Sequence, residues 1–150
     1  MSVTYIAAEL RRLVVARAEG LCEYCFMAED DTFYGCEADH IISEKHGGRT
    51  DADNLAYACV FCNQAKGSNI GSIHWESNTF IRFFNPRIDT WAEHFALVED
   101  RIEGLTPIGI VTARILAFNS GERTLERRTL QDMARYPTAS ALKRIRKEPG

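Results

Sequence analysis

Four of the five cysteines stand in two C-x-x-C pairs, "CEYC" (Cys22, Cys25) and "CVFC" (Cys59, Cys62), with 33 residues between them. Two such knuckles can bring four thiolates to the corners of a tetrahedron, which is the donor set of a structural zinc site. Inside the loop that such a staple closes lies "EADHIISEKHGG", which sets Asp39 beside His40. That pairing offers a hard oxygen ligand for Mg²⁺ or Mn²⁺ next to an imidazole that is neutral near pH 7 and able to take a proton. Asn63, directly after the second knuckle, offers a second hard oxygen, and Lys66 is a cation that could meet a phosphate or stabilise pentacovalent charge. Hydrolysis of a phosphodiester needs these parts: an activated water, and positive charge on the phosphate and on the departing 3′ oxygen.

Other readings of the same residues are weaker. Disulfides suit an oxidising compartment, and a redox C-x-x-C would have to occur twice here, in neither case within a βαβ pattern. Cys36, left over from the pairs, reads as a small buried hydrophobe. His46 is either a ligand or phosphate contact or a solvated loop histidine. Gly47 and Gly48 permit unusual backbone geometry or a close approach of a substrate. His74 and His94 lie outside this cluster, and His94 beside Trp91 reads as a packed structural histidine.

These groups need elements to hold them. Ile6, Leu10, Leu13, Val14 and Ala18 recur at helical spacing, which predicts an amphipathic helix from Tyr5 to about Ala18 with Gly20 just past its end. The acidic 28–31 stretch reads as a loop, and "TFYGCEADHII" as a strand. At the end of that strand, or at a bulge, both Asp39 and His40 can face one cleft. "SEKHGGRTDADN" is a loop, and "LAYACVFCNQAKG" leads through the second knuckle into a short helix ending near Gly67. Beyond it the sequence predicts a hairpin over 73–84 turning at Ser77-Asn78, then a helical turn capped by Asp89 with Trp91 and Phe95 on its inner side. A strand pair from Phe95 to Leu105 comes next, then a helix opened by Thr106 and Pro107 and stopped at Asn119. The last 30 residues read as helical with a break at Pro137 and a fraying end.

In their order and spacing, "CEYC", "ADHII", "GGRTDADNL" and "ACVFCNQAKG", spanning residues 22–67, resemble the HNH endonuclease family. "FNPRIDTWAEHF" and "GLTPIG" are similar to small stand-alone bacterial members. The resemblance implies an α+β fold: a ββα-metal (His-Me finger) core stapled by a four-cysteine zinc site, with flanking helices and a short β-hairpin. It implies an HNH nuclease domain over 1–120 with its core at 22–67, followed by a basic, helical extension over 121–150. It implies DNA cleavage to 5′-phosphate and 3′-hydroxyl ends, with His40 as base, Asp39 and Asn63 binding Mg²⁺ or Mn²⁺, and Lys66 assisting. Asn54 is implied to be structural, its amide bonding loop backbone. Asn63 stands where the last letter of the family name puts a histidine, a common variant that disfavours softer transition metals. A zinc-stabilised DNA- or protein-binding module without catalysis is the alternative.

Composition bounds these expectations. At 150 residues and 45% hydrophobic, the chain suits one ordinary core. No apolar run approaches the roughly 18–20 residues that span a bilayer, and the N-terminal stretch lacks the order of a secretory signal, so a cytoplasmic protein without membrane contact is expected. Residues 121–150 hold eight Lys or Arg against four Asp or Glu, while residues 1–120 hold ten against seventeen. An acidic body disfavours strong non-specific DNA affinity, and the basic "KRIRK" at 143–147 is available to add phosphate contacts to a double-stranded substrate. A lone copy suits nicking one strand, and cutting both calls for a dimer or two successive events.

Overall fold

The computed structural model describes residues 5–146. It is a mixed α/β protein whose strands pair as three short antiparallel hairpins. Contacts divide it into two compact units, residues 1–70 and 71–150, a boundary inside the 1–120 stretch expected from the sequence.

The first unit opens with helix α1, Ala8–Ala18, which turns left-handed at Glu19 (φ 57°) and continues so through Gly20. It starts later than the expected Tyr5, which is exposed, and Leu13 also faces solvent. Ile6, Val14 and Ala18 pack on Leu55 and Tyr57 with Leu10, Val15, Cys36 and Ala38 around them. The Arg17 guanidinium ties the helix to the chain ahead of and within the second strand, donating to the carbonyls of Ala52 (2.9 Å) and Leu55 (2.8 Å).

Strand β1, Cys36–His40, pairs with β2, Leu55–Cys59, in a register that sets Cys36 opposite Cys59 and His40 opposite Leu55. Strand β1 is shorter than the expected run from Thr32 because Gly35, at φ +70°, turns the chain just before Cys36. The acidic segment Glu29–Asp31 forms one 3-10 turn within the expected loop. Every residue of β2 is buried, and helix α2, Val60–Lys66, follows directly and ends at Gly67 as expected.

The second unit begins with the hairpin of β3, Gly71–His74, and β4, Thr79–Arg82, turning through 75–78. Helix α3, Trp91–His94, is a single turn that runs into β5, Phe95–Val98, and β5 pairs with β6, Arg101–Gly104. Asp89 does not cap α3; Thr90 occupies that position. Its carboxylate is used elsewhere, accepting both Arg82 amino groups (2.7 and 2.9 Å) and the Asn85 N–H (2.8 Å). Trp91 and Phe95 are buried with ring centroids 5.1 Å apart.

Helix α4, Pro107–Ile115, starts as expected, with the Thr106 hydroxyl accepting the Gly109 N–H (3.1 Å). It ends at Leu116, before Asn119, whose amide instead bonds the backbone of Ile102 in both directions. Helices α5, Gly121–Asp132, and α6, Ala139–Arg146, complete the unit, with the expected break at Pro137 between them. The fraying expected at the terminus, and Lys147 of the basic run, lie outside the described residues.

Candidate active site and metal centre

The four knuckle cysteines meet in the first unit. Their sulfurs all lie within 4.8 Å of one another, all four residues are buried, and Cys25 Sγ stands 3.7 Å from Cys59 Sγ. Zinc–sulfur bonds of about 2.3 Å in a tetrahedron put sulfurs about 3.8 Å apart, so the cluster fits that ion. Local backbone explains the approach. Phe26 N–H returns to the Cys22 carbonyl (2.9 Å) and Cys22 N–H to the Met27 carbonyl (2.8 Å), which folds the first knuckle into a tight turn. Glu23, which the sequence reading passed over, locks that turn to β2: its N–H donates to the Tyr57 carbonyl (2.8 Å) and its carboxylate accepts the Tyr57 N–H (2.9 Å). Burial, with the neighbouring sulfurs adding to it, pushes the Cys22 thiol up, and burial does the same to Cys62. A bound cation would repay the charge of thiolates gathered there. Cys36 is half-buried against the α1 core, outside the four, and burial holds its thiol protonated.

The end of β1 and the first turn of α2 form the walls of a cleft of about 640 Å³. Asp39, His40 and Asn63 all line it. Lys66 does not reach it as a free cation. At 1% exposure its ammonium is turned inward, donating to Asp39 Oδ2 (3.2 Å) and to the His40 carbonyl (2.8 Å). The phosphate contact anticipated for Lys66 therefore gives way to a bond within the protein: one buried cation fixes the backbone and carboxylate of the two residues that face the cleft. Burial raises the Asp39 carboxyl above its usual range, and Lys66 pulls against that shift.

His40 Nε2 lies 2.8 Å from the Thr50 hydroxyl, a partner with no signal in the sequence. Asn54 accepts the Ile42 N–H at Oδ1 (2.9 Å) and donates from Nδ2 to the carbonyls of Ile42 (2.9 Å) and Arg49 (2.8 Å). It clips the two ends of the loop between the strands. The two glycines of that loop differ in purpose. Gly47 has φ +86°, whereas a Cβ on Gly48 would fall 1.7 Å from the Ile42 carbonyl oxygen and 2.9 Å from Asn54 Nδ2. Gly48 is thus required by the Asn54 clip itself. His46 is exposed and its Nε2 lies 3.1 Å from the Ser68 carbonyl, a contact in which nitrogen must donate.

The two remaining histidines belong to the second unit. His74 Nδ1 meets the Ser77 hydroxyl (2.7 Å), and His94 Nδ1 meets that of Thr106 (2.6 Å) with its ring against Phe84. Both read as packing groups.

Residues 22–69 match the family model of the HNH endonucleases, which bears out the resemblance read from the knuckles and the Asp39-His40 pair. No curated protein and no solved structure matches the chain significantly.

Proposed function

We propose that residues 22–69, an HNH endonuclease unit, hydrolyse phosphodiester bonds of double-stranded DNA one strand at a time, and that β1, β2 and α2 form its ββα-metal core. The observation that carries this reading is that Asp39, His40 and Asn63 line one cleft within the matched stretch. The reaction adds water across the bond between phosphorus and the 3′ oxygen, leaving a 5′-phosphate and a 3′-hydroxyl.

His40 is the base in this reading. Taking a proton at Nδ1 requires the other tautomer position to be filled, so Nε2–H donates to Thr50, which also aims the ring. The buried Lys66 holds the His40 carbonyl and Asp39 in place, so the base and the carboxylate keep one geometry. Asn54 acts through the loop that carries Thr50. Asp39 and Asn63 supply the hard oxygens that suit Mg²⁺ or Mn²⁺, and such an ion would lend positive charge to the phosphate and the leaving oxygen. The four cysteines would hold Zn²⁺ as a structural ion, a role consistent with a reducing, cytoplasmic setting. No helix among the described residues is long and apolar enough to cross a membrane.

The test is cleavage of supercoiled plasmid by the parent and by His40→Ala, with Mg²⁺, Mn²⁺ or neither, at equal zinc content. Metal-dependent nicking that falls by about 100-fold or more in the variant is the expected result. Equal rates would remove His40 from the chemistry. A second reading, a zinc-held binding module, draws on the acidic lining of the cleft, where Glu37 and Glu44 accompany Asp39. Salt-sensitive DNA binding with no turnover under either metal would select it.

A further inference from the structure

Two adjacent aromatic rings stand in water, and the second of them, Tyr34, lines the cleft. Phe33 is 93% exposed and Tyr34 73%, although the same unit buries Tyr24, Phe26 and Tyr57 in its interior. They occupy the two central positions of the turn Thr32–Gly35, closed by the Gly35 N–H on the Thr32 carbonyl (3.4 Å). Their centroids are 4.8 Å apart and their planes 82° apart, so the edge of one ring meets the face of the other. In that arrangement both faces of the first ring are left uncovered by its neighbour. The turn leads straight into β1, and Tyr34 and Gly35 line the cleft together with Asp39, His40 and Asn63.

The charge around them favours one kind of occupant. Glu37, Glu44 and Asp39 line the cleft, no lysine or arginine among the described residues does, and the buried Lys66 is committed to Asp39 and His40, so beyond an ion on Asp39 and Asn63 the lining side chains add little attraction for a phosphate backbone. A substrate that carries phosphates must find its binding energy elsewhere. Open aromatic faces supply it, because every base has a face to stack and stacking is tolerant of sequence. In continuous duplex those faces are already covered by neighbouring bases. Only an unpaired or flipped nucleotide can present one.

Building on the phosphodiester-cleaving reading above, we propose that Phe33 and Tyr34 are a stacking platform for an unpaired base beside the scissile phosphate. The unit then acts on DNA with a locally unpaired nucleotide, such as a bulge, gap or flap, in preference to continuous duplex. The two rings are substrate-positioning residues.

The experiment uses the full zinc-loaded chain and two DNA duplexes of one sequence, one continuous and one carrying 2-aminopurine in a single-nucleotide bulge. Binding is measured in the His40→Ala background, and cleavage with Mn²⁺ in chains that keep His40. The expected result is quenching of 2-aminopurine fluorescence on binding and a preference of about tenfold or more for the bulged duplex. Phe33→Ala with Tyr34→Ala should abolish the quenching and most of the preference. Phe33→Leu with Tyr34→Leu should do the same, because apolar bulk without a ring face cannot stack, while Tyr34→Phe should keep both. Exposure at both positions makes these replacements compatible with the fold, and zinc content with melting temperature verifies it in each variant. The proposal is overturned if the double-alanine chain keeps the quenching and the preference, if the parent binds both duplexes equally, or if the leucine pair behaves as the parent, which would mark an apolar protein-docking patch. Ring-dependent quenching without cleavage would uphold the platform and remove the nuclease reading. Cleavage indifferent to the rings would do the reverse.

Discussion

At the scale of single residues, the site separates what side-chain chemistry announces from what only the folded chain decides. Asp39, His40 and Asn63 were legible as candidates because carboxylate, imidazole and amide are recognisable by type, and all three line the cleft. Lys66 and Thr50 were legible only as letters: whether a lysine faces a phosphate or a carboxylate depends on contacts between residues far apart in the chain. The buried Lys66 on Asp39 makes a strong prediction. Removing one partner of a buried ion pair costs about 3–5 kcal/mol, and the 18% exposure of the Asp39 side chain puts Lys66→Met near the lower end. The same change frees the His40 carbonyl, so if His40 is the proposed base, plasmid nicking should fall in parallel with stability. Lys66→Arg should restore neither, because a planar fork does not fit a site enclosed to 1% exposure. Denaturant melts and nicking rates on the same preparations check both statements, and a Lys66→Met chain as stable as the parent would contradict them.

Elements were legible where they carry a period or a cap. The Thr106 cap stands where the sequence puts it, and the hairpin expected over 73–84 forms over 71–82 with Ser77 and Asn78 inside its turn, because each depends on residues adjacent in the chain. Strand β2 shows no alternation, since all five of its residues are buried, and a short apolar run of that kind is ambiguous without its partner strand. Asp89 illustrates the same limit: an acid before a helical turn reads as a cap, yet the Arg82 guanidinium seven residues back claims it. The consequence is measurable in pH. Burial would raise the Asp89 carboxyl, but hydrogen bonds from Arg82 and Asn85 outweigh it and hold the group below its usual value. A depressed carboxyl stabilises the fold above its unfolded pKa of about 3.9, and that contribution disappears as pH falls through the lower, folded value. The difference in melting temperature between parent and Asp89→Asn should therefore be full near pH 6 and shrink below about pH 4. The four knuckle cysteines link the turn after α1 to β2 and α2, which makes one further prediction. Metal analysis should give about one zinc per chain, and a chelator should unfold this unit, read as loss of its amide exchange protection, because the binding free energy of a structural site is folding free energy.

For the molecule as a whole, composition located the basic charge without showing where it is spent. Of the arginines in α5, Arg123 donates to the Leu116 carbonyl (2.7 Å), and Arg127, 1% exposed, donates to the carbonyls of Asp100 and Phe118. These guanidiniums satisfy the backbone at the end of α4 and at the β5–β6 turn, a task that sequence counting records only as positive charge. Arg128 is paired with Asp100 at 2.8 Å. Part of the positive charge is therefore spent within the fold, and among the exposed basic residues Lys143 and Arg146 stand on α6. Each phosphate contact on duplex DNA adds about 0.9 to the steepness with which log affinity falls against log salt. Lys143→Gln with Arg146→Gln should lower that slope by up to about 1.8 and weaken binding at low salt, while metal-dependent nicking persists at saturating DNA. Arg127→Met should act on the fold instead, with a loss of about 2–3 kcal/mol from buried carbonyls left without a donor. If the α6 pair leaves the slope unchanged, DNA does not reach that helix, and its charge serves only to keep an exposed amphipathic face in water.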